Sequence, residues 1–246
     1  SLKSCIVIPA RFRSTRFPGK PLEKILDKEM IIHVAEACEK ALRREDIYIL
    51  TDDERIKKVV EKNKFNCLIT SSNALTGTDR ITEVIDKLNY DFFINVQGDE
   101  PLVNPDDILK CIELKKNNYS SVINGYAKIK SWEEFYSINV PKVIIDKDNY
   151  LIYISRSPIP GFKSKEKSLI GLKRQVCIYG FNRSDLVFIR NNPNKMFLET
   201  KEDIEILRFI ENQKKVLMFE CSTVSISVDI PDDLEKVIKT MKDKNV

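Results

Sequence analysis

Ser4-Cys-Ile-Val-Ile-Pro-Ala-Arg-Phe-Arg-Ser-Thr-Arg-Phe-Pro-Gly-Lys-Pro-Leu22 is the stretch that decides the fold. Its first six residues form a short apolar run closed by proline, the pattern of a buried strand. The polar loop that follows, residues 10–21, carries Arg11, Arg13, Arg16 and Lys20 and no acid. Such a loop at the end of a buried strand suits a polyphosphate. Guanidinium forks match phosphate oxygens in pairs, lysine adds a point charge, and Gly19 lets backbone come close. Arg13 is the one expected to be solvated. The loop is no Walker A motif, since G-x-x-x-x-G-K-[ST] is absent.

Downstream, the spacing predicts helices over residues 30–42, 53–62, 78–88 and 106–116. They alternate with strands over 46–50, 65–69 and 91–96. Four strand–helix alternations predict a parallel sheet with right-handed crossover helices. The loops after the strands then share one edge, where ligands of open α/β sheets bind. Beyond residue 119 the pattern changes. Strands are expected over 121–129, 142–145, 150–155, 175–182, 216–221 and 225–228. Those at 142–145 and 150–155 flank Asp146-Lys-Asp-Asn149, a hairpin turn. A long loop over 157–172, a helix over 199–212 and a final helix over 231–242 complete the reading. The second half reads as an antiparallel insert laid over the first sheet, with no linker and no repeat.

Three more segments carry chemistry. In Leu75-Thr-Gly-Thr-Asp-Arg80, Thr76 or Thr78 caps a helix, while Gly77 and Arg80 are placed to meet a base or phosphate. In Ile94-Asn-Val-Gln-Gly-Asp-Glu-Pro-Leu102, Asp99 is the expected Mg²⁺ ligand and Gln97 a hydrogen-bonding group for a sugar. In Ser227-Val-Asp-Ile-Pro-Asp-Asp-Leu234, Asp229 alone reads as a helix cap; brought beside Asp99 it completes a metal site.

Composition narrows the chemistry further. The chain has 246 residues, 42% hydrophobic and 32% charged, enough for one large domain. Its single histidine, His33, excludes a multi-histidine metal site and argues against a His-dependent triad. The net charge of +4 demands no nucleic-acid partner. Six cysteines without C-x-x-C read as reduced core residues, and no apolar run reaches the ~18 residues of a membrane span. A soluble, cytoplasmic protein is expected.

Together these segments resemble the CMP-Kdo synthetases (3-deoxy-manno-octulosonate cytidylyltransferases). IPARFRSTRFPGKPL, TDDERI, TGTDR, NVQGDEPL, ISRSPIP, CIYGF, LETKEDIEILR and VDIPDDL occur in the family's order over nearly the whole chain. The resemblance implies an α/β, Rossmann-like nucleotidyltransferase fold with a mostly parallel central sheet and a smaller antiparallel β portion in the C-terminal half. Within the single domain, residues 1–120 and 215–246 would form the nucleotide-binding core, and 121–214 the sugar-binding and dimerisation portion. It implies transfer of CMP from CTP to the anomeric hydroxyl of a 3-deoxy-ulosonic acid, with Mg²⁺, in a homodimer. The product would serve lipopolysaccharide or capsule.

By the same resemblance, Arg11, Arg16 and Lys20 bind triphosphate, the 76–80 segment binds cytidine, and Asp99 and Asp229 bind the metal. Gln97, Arg156, Tyr179 and Glu205 fall at or beside the sugar-acid pocket. Two departures stand out: Gln175 where the family usually carries histidine, with Cys177 where it carries glycine, and Ala74-Leu75 where polar residues are common. Relatives with alanine there act on an 8-amino version of the sugar. Another nonulosonic acid, or a silent paralogue that binds nucleotide-sugar, stays open as an alternative.

Overall fold

The computed structural model describes residues 1–222 and 225–244. Strand β1 (Ser4–Pro9) leads through the short strands β2 (Lys24–Ile25) and β3 (Lys28–Glu29) into helix α1 (Met30–Glu39). Then come β4 (Ile47–Thr51), α2 (Glu54–Lys62), β5 (Asn66–Ile69), α3 (Gly77–Thr82), β6 (Phe92–Val96), α4 (Pro105–Asn117) and β7 (Val122–Lys128). The second half contributes α5 (Trp132–Tyr136), β8 (Lys142–Ile145), β9 (Leu151–Ser155), β10 (Lys173–Asn182), α6 (Arg183–Asn191), α7 (Phe197–Glu202), α8 (Leu207–Glu211), β11 (Val216–Glu220) and α9 (Pro231–Lys244).

One sheet runs through the molecule in the order β11-β7-β10-β6-β1-β4-β5. The pairings make β10 the single reversed strand on this path, so the central sheet is mostly parallel. The β8–β9 hairpin, formed around Asp146–Asn149 as expected, joins through β10. The second half is therefore not a layer laid over the first sheet: its strands extend that sheet sideways. The reason lies in β6, whose Phe92, Phe93, Ile94 and Val96 are all fully buried. An apolar strand of this kind cannot be left as an open edge, and β10 covers it.

The alternation of β1 separates the two layers. Ile6 and Ile8 pack with side chains of α1, α2 and α4, such as Val34, Ile56 and Ile108. Cys5 and Val7 face the opposite layer, with Ile81 of α3, Leu186 of α6 and Phe209 of α8. Each side chain of this size is stabilised by about 1.5–3 kcal/mol on full burial.

Several boundaries differ from the sequence reading. The expected helix over 78–88 stops at Thr82 and resumes as a 3₁₀ turn at Ile85–Lys87. The expected helix over 199–212 is broken in two because Asp203 adopts a left-handed conformation, φ 52°. Residues 225–228 form no strand; Val228 N–H instead donates to Asp99 O at 2.9 Å. Helices α5 and α6 were not anticipated, although both carry N-terminal signals. Ser131 accepts from Glu134 N–H, and Asn182 and Asp185 form a reciprocal capping box.

Candidate active site

The loops that follow β1 and β6 meet at one sheet edge, and a glycine sets how closely. Gly98 N–H donates to Pro9 O at 3.2 Å. A Cβ at Gly98 would stand 2.7 Å from that oxygen and 3.0 Å from Ala10 Cβ. In the loop after β1, Gly19 takes φ +71° and its N–H donates to Phe12 O at 2.8 Å, turning the chain back. Lys20 thereby reaches inward: its Nζ donates to Asp99 Oδ2 at 3.1 Å and to Val228 O at 2.9 Å. One ammonium ties together the loop after β1, the loop after β6 and the chain entering α9.

Two cavities open around this tie. The first, about 330 Å³, is lined by Arg11, Arg16 and Lys20 on one side and by Thr76, Gly77 and Arg80 on the other. Arg13 is absent from its wall, as expected. The second, about 350 Å³, is lined by Arg156, Gln175, Tyr179 and Glu205. Gln97, Asp99 and Asp229 line both. Burial and the neighbouring Asp99 raise the Asp229 carboxyl, while Lys20 and Arg16 pull it down.

The helix cap in this region is Thr76, whose Oγ1 accepts from Asp79 N–H at 3.1 Å and donates to Asp79 Oδ2 at 2.7 Å. Thr78, expected to bind substrate, is placed elsewhere: it is fully buried and lines neither cavity. Its hydroxyl, one position past the helix start, turns into the packed interior. Arg80 lines the first cavity, but its Nη1 donates to Thr70 Oγ1 at 2.6 Å and to Ser71 O at 3.0 Å. It holds the loop as well as facing the ligand space, and burial lowers its pKa. Beneath lies a buried network that explains the LETKEDIEILR segment. Arg208 donates to both Glu199 oxygens at 2.8 and 2.9 Å and to Asp79 Oδ1 at 3.3 Å, so α8, α7 and the Thr76 cap are locked together.

In the second cavity, Arg156 spends its guanidinium on the backbone carbonyls of Ile138, Glu202 and Asp203. It shapes the wall where α7 breaks. Gln175 Nε2 donates to Asn124 Oδ1 at 2.9 Å and to Tyr179 Oη at 3.2 Å. Burial raises the Tyr179 phenol, which stays neutral. Glu205 faces the Thr76 hydroxyl from the other cavity, and burial pushes its carboxyl up to about 7.

Sequence reasoning missed Glu100 and Arg174 here. Glu100 is buried, and desolvation with Asp99 beside it pushes its carboxyl up to about 8. Arg174 is paired with Glu134 at 2.9 Å, and its Nε is buried without a hydrogen-bond partner among the described residues. The Gly-Asp-Glu-Pro pattern announced acids at this edge. It did not say that both would turn inward. Ala74 and Leu75, read from the resemblance as departures that bear on the sugar, line the first cavity and not the second.

A mostly parallel sheet whose basic loop after the first strand shares one cavity with Asp99 and Asp229, beside a second cavity that both aspartates also line, has the layout of a nucleotidyltransferase. A family model described as cytidylyltransferase matches residues 5–218. A 3-deoxy-manno-octulosonate cytidylyltransferase of Geotalea daltonii is 39% identical over 99% of this chain and 100% of the relative. One from Leptospira interrogans is 38% identical over 96% and 95%. A solved CMP:2-keto-3-deoxy-manno-octonic acid synthetase complexed with CTP superposes with a TM-score of 0.89 at 33% identity, covering 98% of this chain and 99% of that one. The chain belongs to the 3-deoxy-manno-octulosonate cytidylyltransferase family. Among the described residues, no helix is long and apolar enough to cross a membrane.

Proposed function

We propose that this chain transfers CMP from CTP to the anomeric hydroxyl of 3-deoxy-manno-octulosonate and releases pyrophosphate. The observation that carries the reading is the shared wall: Gln97, Asp99 and Asp229 line both cavities, so a nucleotide in one and a sugar acid in the other would meet there. The first cavity draws its lining from residues 9–99 and Asp229, which supports residues 1–120 with 215–246 as the nucleotide core. The second draws mainly on 139–205, the sugar portion.

Arg11, Arg16 and Lys20 would grip the triphosphate and neutralise the pyrophosphate as it leaves. Thr76, Gly77 and Arg80 would border the nucleoside. Glu205, Gln175 and Tyr179 would orient the sugar so that its anomeric oxygen attacks the α-phosphorus in line as the bond to the bridging oxygen breaks. Asp99 and Asp229 offer hard carboxylate oxygens, a donor set that fits Mg²⁺, which takes one or two carboxylates and completes its shell with phosphate oxygens and water. When bound there, the ion supplies Lewis-acid charge stabilisation at the α-phosphate.

The reading extends to a homodimer in the cytoplasm. The dimer is supported by the exposed apolar side chains Tyr136, Ile138 and Ile170 in the 121–214 portion. An 8-amino sugar is the second reading: Ala74, which suggested it, lines the first cavity, but Gln175, where the resemblance marks a departure from histidine, lines the second and cannot become cationic beside an amino group. Pyrophosphate release from CTP, measured against Kdo, 8-amino-Kdo and a sialic-type acid, tests both. Turnover with Kdo is expected, and release with none of the three overturns the proposal.

A further inference from the structure

The reaction does not account for Thr51-Asp-Asp-Glu-Arg-Ile56. None of these side chains lines either cavity. Because β4 is the parallel neighbour of β1, the segment lies against the loop that carries Arg11, Arg16 and Lys20. Asp53 caps α2 and accepts from Arg55 three times, from N–H at 2.8 Å, from Nε at 3.0 Å and from Nη2 at 2.8 Å. The guanidinium so fixed stacks on Phe12, with Cζ 3.5 Å from the ring centroid.

Phe12 is also held at both of its backbone polar groups. Its N–H donates to Asp52 Oδ1 at 3.4 Å, and its carbonyl accepts from Gly19 N–H at 2.8 Å. A Cβ at Gly19 would stand 3.0 Å from Phe12 Cζ, so the ring fills the space against that glycine. Phe12 and Gly19 therefore close the loop around Arg16, with Arg11 and Lys20 just outside the closure.

We propose that Arg55 is a positioning residue for this loop: clamped by Asp53, it presses on Phe12 and keeps Arg11, Arg16 and Lys20 in register for a triphosphate. Two observations separate this from a generic surface pair. The Arg55 side chain is 63% exposed, so it adds little to the fold. Its charge is matched by Asp53, so it adds little field to the site, and its planar stack is what remains. A loop that populates its binding arrangement less often lowers apparent affinity by that fraction. The inference rests on the proposed use of CTP.

The test measures steady-state kinetics and amide hydrogen exchange on the full chain. Arg55→Ala should raise KM for CTP about 2- to 5-fold, the equivalent of about 0.5–1 kcal/mol for an exposed cation–π contact. kcat at saturating CTP and KM for the sugar acid should not move. Exchange at Gly19 N–H should speed up without any substrate present. Arg55→Lys, which keeps charge but not the planar stack, should behave like Arg55→Ala. Phe12→Leu, which removes the ring, should raise KM for CTP as Arg55→Ala does. A wild-type KM in Arg55→Ala or Arg55→Lys, or unchanged exchange at Gly19, overturns the inference. Wild-type protein that turns over no CTP would overturn the proposed function instead, and the exchange measurement would still decide the role of Arg55.

Discussion

Gly98→Ala adds one methyl group where the loops after β1 and β6 touch. The new Cβ would stand 2.7 Å from Pro9 O, and real Cβ atoms essentially never come under 3.0 Å. The neighbour is backbone, so no rotamer relieves the contact. The loops must part by at least 0.3 Å, and the Gly98 N–H to Pro9 O hydrogen bond, 3.2 Å at present, lengthens with them. Overpacking of this kind costs about 1–3 kcal/mol. In a chain of this size that lowers Tm by about 2–12 °C. The displaced residue that matters is the next one, Asp99, whose Oδ2 holds Lys20 at 3.1 Å.

Misplacement of a reacting group by about 1 Å costs about 100-fold in rate, so a shift of a few tenths of an ångström should lower kcat several-fold to tenfold. Pyrophosphate release and a thermal melt measure the two effects. Gly161→Ala is the control, because a Cβ there meets nothing within 4 Å. Wild-type kcat and an unmoved Tm in Gly98→Ala would show that the loops do not depend on this contact.

Chelation by EDTA should abolish pyrophosphate release and added Mg²⁺ should restore it, while Asp99→Asn should stay inactive at any Mg²⁺ concentration with its melt preserved. Activity of Asp99→Asn near the wild-type level would remove the metal assignment. Gln175→His should change the ratio of kcat/KM between Kdo and 8-amino-Kdo, since the side chain borders the second cavity, proposed for the sugar, and bonds Asn124 and Tyr179; an unaltered ratio counts against a role in substrate choice. Glu205 gives a pH signature. Burial first, and Asp79 after it, raise its carboxyl from 4.5 to about 7, against Thr76 and Arg208, which lower it. Between these values the folded chain holds a proton that the unfolded chain has lost. The stability so contributed is complete below pH 4.5 and is lost as pH rises through 7. Glu205→Gln should therefore gain Tm relative to the wild type between pH 5 and pH 8, and a difference independent of pH would refute the shift.

Much of the molecule was legible in one dimension because the signals are local. The apolar run Ser4–Pro9 made a buried strand, and the basic loop after it faces the first cavity with Arg11, Arg16 and Lys20, as read. The capping patterns at α5 and α6, Ser131 with Glu134 and Asn182 with Asp185, are equally local. Left-handed Asp203, which breaks the expected 199–212 helix, was harder to see. Its conformation serves Arg156, whose guanidinium takes the Glu202 and Asp203 carbonyls from a segment more than forty residues away.

The sequence by itself determined the strand–helix alternation of the first half and the chemistry at the strand ends, since strand period, loop charge and carboxylate identity are properties of neighbouring residues. Only the tertiary structure decided which of those groups meet. β10 inserts antiparallel between β6 and β7, which places Tyr179 opposite Asn95 and sets the second cavity against Gln97 and Asp99. The same packing buries Thr78 away from both cavities and turns Glu100 inward beside Asp99. The physical reason is the apolar β6 edge: covering it required a strand from far along the chain, and no local pattern specifies which partner arrives or in what register.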